Sequence, residues 1–123
     1  MLAVFHPARA AEVQVESPSF TFDSENRVYH YQEAKIRFKD ITLEALEVQL
    51  FADTGEVKAK GQVRLREKTL FISADRADFN TDNGIGIVYN PRLYDSKSGY
   101  YLIAETMRRV DEGSYEAEHC ELT

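Results

Sequence analysis

Between Glu56 and Arg66 apolar and polar residues alternate without a break. Val57, Ala59, Gly61, Val63 and Leu65 share one face; Glu56, Lys58, Lys60, Gln62, Arg64 and Arg66 share the other. A period of two marks a strand with one buried and one wet face. Upstream, Val28, Ala34, Ile36 and Phe38 have a common parity, with Tyr29, Tyr31, Lys35 and Arg37 opposite. Two further runs change parity midway. Ile41, Leu43 and Ala45 give way to Leu46, Val48 and Leu50; Ile72 and Ala74 give way to Ala77 and Phe79. Such a slip is what a bulge or corner produces. Its recurrence at Ala45 and Ala74 predicts one corner per repeated unit.

The turns carry the same repeat. Asp53-Thr54-Gly55 returns as Asp82-Asn83-Gly84 and as Asp111-Glu112-Gly113, with the glycines 29 residues apart. Asn26 occupies the corresponding place in the first unit and is, after glycine, a residue that tolerates positive φ. Val28 and Val57, Ala34 and Val63, and Ile36 and Leu65 keep the 29-residue step. A fixed period in this range predicts stacked layers. In the third unit either Ile85, Ile87 and Tyr89 or Gly86 and Val88 face inward, and Pro91 requires a bend or bulge. The fourth unit offers Tyr101 and Ile103, then Tyr115 and Ala117, as inward residues. No long segment has the helical period with caps. Short strands punctuated by turns predict an all-β sandwich, roll or solenoid in one domain over 13–123.

Residues 1–12 read as a signal-peptide remnant or a disordered tail. Ala8-Arg9-Ala10 fits a small-x-small cleavage pattern, but Leu2–Phe5 is short for a full apolar region. No run approaches the roughly 18 apolar residues of a membrane span.

Composition narrows the function classes. The 123 residues carry a net charge of −6, which argues against a phosphate-backbone partner and so against nucleic acid. Lys58, Lys60, Arg64, Arg66 and Lys68 form a local basic row, read as a solvated strand face. Cys120 is the single cysteine, so it is a free thiol or half of a bridge reaching outside these residues. His119 and Cys120 are neighbours and point to opposite faces of a strand, which disfavours a shared metal. The repeated Asp53, Asp82 and Asp111 are turn chemistry rather than a calcium ladder. Asp75 and Asp78 read as the polar face of a corner. Gly84-Ile85-Gly86 lacks the context of a phosphate loop. Neither a catalytic constellation, a metal site nor a cofactor is expected. Small residues at inward positions, Ala34, Ala59, Gly61, Ala74, Ala77 and Ala117, either leave a groove or fit a narrow taper, and composition alone favours the taper.

The stretch "DTGEVKAKGQVRLREKTLFISADRADFNTDNG" resembles the OstA-like family, the periplasmic domains of lipopolysaccharide transport and assembly proteins. Its motifs stand here as Thr54-Gly55, Ala59 through Val63, and Leu70 through Phe79. The last unit, "GSYEAEHCELT", is similar to the end of this domain in the outer-membrane assembly component. The resemblance covers most of 13–123 and has no catalytic residue. It implies an open, V-shaped β-jellyroll of stacked antiparallel strands, located in the periplasm and associated with the outer membrane. It implies lipid A acyl chains held in an apolar groove, for which the candidates are Ala34, Ile36, Val57, Ala59, Val63, Leu65, Leu70, Ile72, Phe79 and Ile87. It further implies edge-to-edge docking with like domains, either a bridge protein or a segment preceding an outer-membrane β-barrel, and in the latter case a disulfide from Cys120. The competing expectation is a structural β-solenoid that carries no lipid. An enzyme acting on envelope carbohydrate has no acid pair at a defensible spacing.

Overall fold

The computed structural model describes residues 2–8 and 11–122, with side chains from 13 to 121. The chain makes β1 (Leu2–Ala8), β2 (Ala11–Ser17), β3 (Ser19–Asp23), β4 (Val28–Phe38), β5 (Ile41–Phe51), β6 (Glu56–Glu67) and β7 (Leu70–Asn80). Shorter strands follow: β8 (Gly86–Tyr89), β9 (Arg92–Asp95), β10 (Tyr101–Ile103), β11 (Thr106–Asp111), β12 (Ser114–Glu118) and β13 (Glu121–Leu122). All pairings are antiparallel, and there is no helix among the described residues. The expected all-β open jellyroll is the architecture observed. Residues 2–8, within the segment read as a leader remnant or tail, pair along β2. Arg9 and Ala10 of the cleavage-like motif lie outside the described residues.

The sheet folds into two walls because each long strand bends midway. β7 shows this directly: Arg76–Phe79 pair with β8, while Leu70–Ser73 pair with β9. One wall therefore contains the first halves of β4 and β6, the second halves of β5 and β7, and β3, β8, β11 and β12. The other contains the remaining halves with β1, β2, β9, β10 and β13. Pro91 falls between β8 and β9, where the ladder breaks as expected.

The bends rest on backbone that side chains rarely adopt. Apart from Gly61, every positive-φ residue described falls in one of three series. Glu33, Gln62, Asn90 and His119, with φ of 49°, 48°, 54° and 52°, mark the corner between walls. Arg27, Gly55, Gly84 and Gly113 close the hairpins of the first wall; Lys39, Lys68 and Gly99 close those of the second. The first-wall hairpins correct one expectation. The left-handed residue of the first turn is Arg27, φ 55°, and not Asn26. Asp23 explains the shift: its carboxylate accepts the N–H groups of Glu25 and Asn26 and the Asn26 side-chain amide, at 3.1, 3.2 and 2.8 Å.

The turn carbonyls explain the constant step. Arg27 C=O accepts from Ala52 N–H at 2.9 Å, and Gly55 C=O accepts from Thr81 N–H at 2.8 Å and Thr81 Oγ1 at 2.7 Å. Gly84 C=O accepts instead from the Arg109 guanidinium at 2.9 Å. The first two turns are hydrogen-bonded to the next turn and the third to β11, so a layer of different width would leave the buried carbonyls of Gly55 and Gly84 without their donors.

Most inward assignments hold, and the exceptions trace to the corner. The slips at Ala45 and Ala74 are real: pairing shifts just beyond each. Leu46 is exposed at the bend, while Val48 and Leu50 are buried. β4 slips as well, at Glu33, so Tyr31 is buried with the core rather than opposite it. Polar residues flank that slip, which leaves no apolar pattern to reveal it. In β6 two successive left-handed residues, Gly61 and Gln62, are inserted, so the parity survives the bend. Gly86 and Val88 face inward; Ile85 and Ile87 face out. In β10 Leu102 packs on the core opposite Leu93, so Tyr101 and Ile103 point outward, against expectation.

Alanine at two of the turn glycines separates backbone strain from steric contact. A Cβ at Gly113 would meet nothing within 4 Å, whereas one at Gly55 would lie 2.9 Å from Thr81 Oγ1. In urea unfolding Gly113→Ala should cost about 1 kcal/mol, and Gly55→Ala distinctly more. Equal costs would show that the turn stack tolerates a side chain.

Candidate functional site

The interior between the walls is built from registered rows. In the first wall Tyr31, Val48, Ala59, Ala77, Val88, Met107 and Ala117 follow one another across strands. In the second wall Val15, Ile36, Leu43, Leu65, Ile72, Leu93 and Leu102 do the same. Of the ten groove candidates, Ala34, Ile36, Val57, Ala59, Val63, Leu65, Ile72 and Phe79 lie here, each no more than 3% exposed. Leu70 is half-buried at the end of the second wall. Ile87 stands on the outer face, paired with Asp78 and Arg108. The buried residues of both walls form one packed cluster, in which the small residues Ala59 and Ala77 are neighbours within the first wall.

The two ends of this interior differ in chemistry. At the β3 end the inward rows continue into Phe20 and Phe22, which pair with Tyr31 and Tyr29. They are 39% and 42% exposed. The four rings form one cluster, with Phe22 and Tyr29 centroids 4.5 Å apart and Phe20 and Tyr31 5.6 Å apart. β3 has no strand on its outer side among the described residues. The result is an aromatic mouth where the core meets solvent. Burial pushes the Tyr31 phenol well above its ordinary value.

Toward the β12 end the walls are held by charge. Glu67 ends β6 in the second wall, and Arg109 lies on β11 in the first. The guanidinium donates to both carboxylate oxygens, at 2.9 and 2.6 Å. Tyr115 Oη and Gly113 N–H also donate to Glu67, at 2.7 and 3.0 Å. The pair is buried, with side-chain exposures of 3% for Arg109 and 0% for Glu67. Burial opposes the charge on Glu67, but the donors from Arg109, Tyr115 and Gly113 outweigh it and hold the carboxyl below its ordinary value of 4.5. The Glu67 hydrogen bonds raise Arg109, and burial followed by the Glu67 contact raises the Tyr115 phenol. Nearby, Glu112 of the first wall meets Lys68 of the second at 3.1 Å. Phe38 and Phe79 add an apolar contact across the same side, 5.8 Å between centroids. The walls are therefore continuous backbone along the corner and joined by side chains along the turns. Sequence reading missed this clasp. Its one signal was that Glu67 and Arg109 continue the inward parities of Leu65 and Met107.

The other candidates stay apart. Asp75 accepts from Asn90 Nδ2 at 2.9 Å at the corner, and Asp78 lies on the outer face beside Arg76. Cys120 is exposed. The described residues contain no cluster of three metal-ligating side chains. The basic row is wet, as expected, with Lys60 near Glu47 at 3.6 Å.

No family model and no curated protein sequence matches the chain. A solved structure does: LptH, the LptA-homologous periplasmic component of the conserved lipopolysaccharide transport device from Pseudomonas aeruginosa. The superposition has a TM-score of 0.78 and covers 96% of this chain and 98% of that one, at 11% identity. The fold of this chain is the fold of that transport component.

Glu67→Gln tests the clasp. It leaves the Arg109 guanidinium buried against a neutral amide and should cost about 3 kcal/mol or more at pH 7. Because the folded carboxyl lies below its unfolded value, its stabilisation is complete above about pH 4.5 and lost as pH falls through the folded value. Urea midpoints for the two proteins should therefore converge as the pH falls below 4.5 and through the folded value. A gap independent of pH would remove the Glu67 charge as the cause.

Proposed function

We propose that this chain is a non-enzymatic module of lipopolysaccharide transport in the periplasm, working beside the outer membrane. It shields lipid acyl chains between its walls and docks edge to edge with like domains. The observation that carries this reading is the two-walled stack itself, matched over nearly its whole length by a component of a lipopolysaccharide transport device. The aromatic mouth supports it: Phe20 and Phe22 extend the interior rows to an unpaired edge strand. At the opposite margin Tyr115 and Ala117 on β12 end the same rows. Strands added at either edge would prolong a single apolar lining.

The packed interior defines how cargo gets in. The walls must part, and the corner is backbone while the turn side is joined by side chains. Acyl chains then enter along the turn side or from the mouth and replace the contacts that the walls make with each other. A chain of about twelve methylenes gains roughly 10 kcal/mol when fully buried, and partial burial permits release. Cys120, exposed beyond β12, is placed to bridge to another domain or chain, and an outer-membrane barrel is the proposed partner of that kind.

The same packing favours the second reading, a structural module that stacks through its edges and holds no lipid. Photo-crosslinking separates the two. Probes at Val63, Ile72 or Phe22 should capture lipopolysaccharide, and a probe at Lys60 on the outer face should not. Equal capture at all four positions, or filaments that form without lipid while no inner position captures it, would favour the structural module.

A further inference from the structure

The outer face of the second wall carries a feature that the interior does not use. Two registered rows cross it. Arg66, Phe71, Tyr94 and Tyr101 form one; Arg64, Ser73 and Arg92 form the other. Neighbouring strands lie about 4.8 Å apart, so the first row runs roughly 14 Å. Together with Lys35, Thr42 and Glu44 at one side, they line a shallow hollow of about 380 Å³. Phe71, Tyr94 and Tyr101 are 44%, 43% and 37% exposed, a row of rings on the outer sheet face. The flanking cations are concentrated although the chain is net acidic at −6. Lys35 and Arg37 on the same face are met by Glu44 and Glu16, at 3.4 and 3.6 Å. Among the described residues no acidic side chain comes within ion-pair distance of Arg64, Arg66 or Arg92.

We propose that this face binds a phosphate-bearing saccharide, its rings lying on Phe71, Tyr94 and Tyr101 and its phosphate taken by Arg66 and Arg92. Aromatic faces are electron-rich and receive the slightly positive C–H groups of a pyranose. Guanidinium groups take phosphate through paired N–H donors. Ser73 Oγ, between Arg64 and Arg92 in the second row, is placed to bond a sugar hydroxyl. An acyl chain is a poor occupant, because burying it here would also desolvate three arginines. A nucleic acid strand is disfavoured by the charge of the whole chain. The site lies outside the walls and stands whether or not acyl chains enter between them.

Glucose 6-phosphate, glucose and inorganic phosphate, each titrated into isotope-labelled protein at constant ionic strength, test the assignment. Glucose 6-phosphate should shift the amides of residues 64–66, 71–73 and 92–94, and bind about tenfold or more tightly than either part alone. Arg92→Gln and Tyr94→Ala should each weaken it by about tenfold. Both positions are exposed, so the urea midpoint should be unchanged. Inorganic phosphate that binds as well as the sugar phosphate, or a Tyr94→Ala variant that binds normally, would reduce the face to an anion site and overturn the proposal. So would shifts confined to other strands, or an acidic peptide that displaces the ligand at equal charge. A deacylated phosphorylated oligosaccharide and the same saccharide on its lipid identify the source. Binding of both, lost in Arg92→Gln, assigns a glycolipid head group; binding of the free saccharide alone, lost in the same variant, assigns a soluble sugar phosphate. Binding only of the lipid-linked form, indifferent to Arg92→Gln, would overturn the proposal while leaving the interior reading intact.

Discussion

A left-handed backbone residue at each described hairpin, and at the corner in Glu33, Gln62, Asn90 and His119, is the constraint from which the structure follows. At three hairpins of the first wall the carbonyl of that residue is turned toward the next layer. Ala52, Thr81 and Arg109 supply the donors that receive those of Arg27, Gly55 and Gly84. Once the donors are placed, layer width is fixed, and with it the register that aligns Ala59 on Ala77 and Leu65 on Ile72. Packing of the apolar rows is then a consequence of turn geometry as much as of hydrophobicity. Seven residues other than glycine accept the strained conformation, including all four at the corner. Glycine at every such site would forgo side chains at Glu33, Gln62, Asn90 and His119, and would cost more chain entropy on folding.

Much of this was legible in the sequence because the strands obey a period of two and the units a period of 29. The repeated Asp-x-Gly turns located three of the four hairpins of the first wall. The parity slips at Ala45 and Ala74 located the corner. What escaped notice was hidden by arithmetic or by polarity. An insertion of two residues at Gly61 and Gln62 restores parity, so the bend in β6 leaves no trace. The slip at Glu33 falls among polar residues, and Tyr31 was consequently assigned to the wrong face. The short β10 offered three apolar residues in succession, and only pairing with Leu93 decides that Leu102 is the inward one. Charge at an inward position, as at Glu67, was read as the end of the pattern when it is the pattern's continuation.

The inward positions were legible; their environment was not. Eight of the groove candidates are buried in the one packed cluster that the two walls share. The mouth and the clasp were invisible because each joins segments far apart in the chain. Phe20 and Phe22 gain meaning only beside Tyr29 and Tyr31, and Arg109 lies 42 positions beyond Glu67. A sheet folded on itself thus combines a backbone hinge, a side-chain seam and two unlike ends.

The unlike ends give the molecule polarity. In the proposed edge-to-edge docking, the margin of phenyl rings on one copy would meet the margin bearing Tyr115 on the next. A contact of that kind is heterologous: without rotation into a ring it never closes, and each added copy offers the same free end as before. Nothing within such a copy can count. In that docking, a distinct terminal subunit that presents one of the two ends and lacks the other would stop growth.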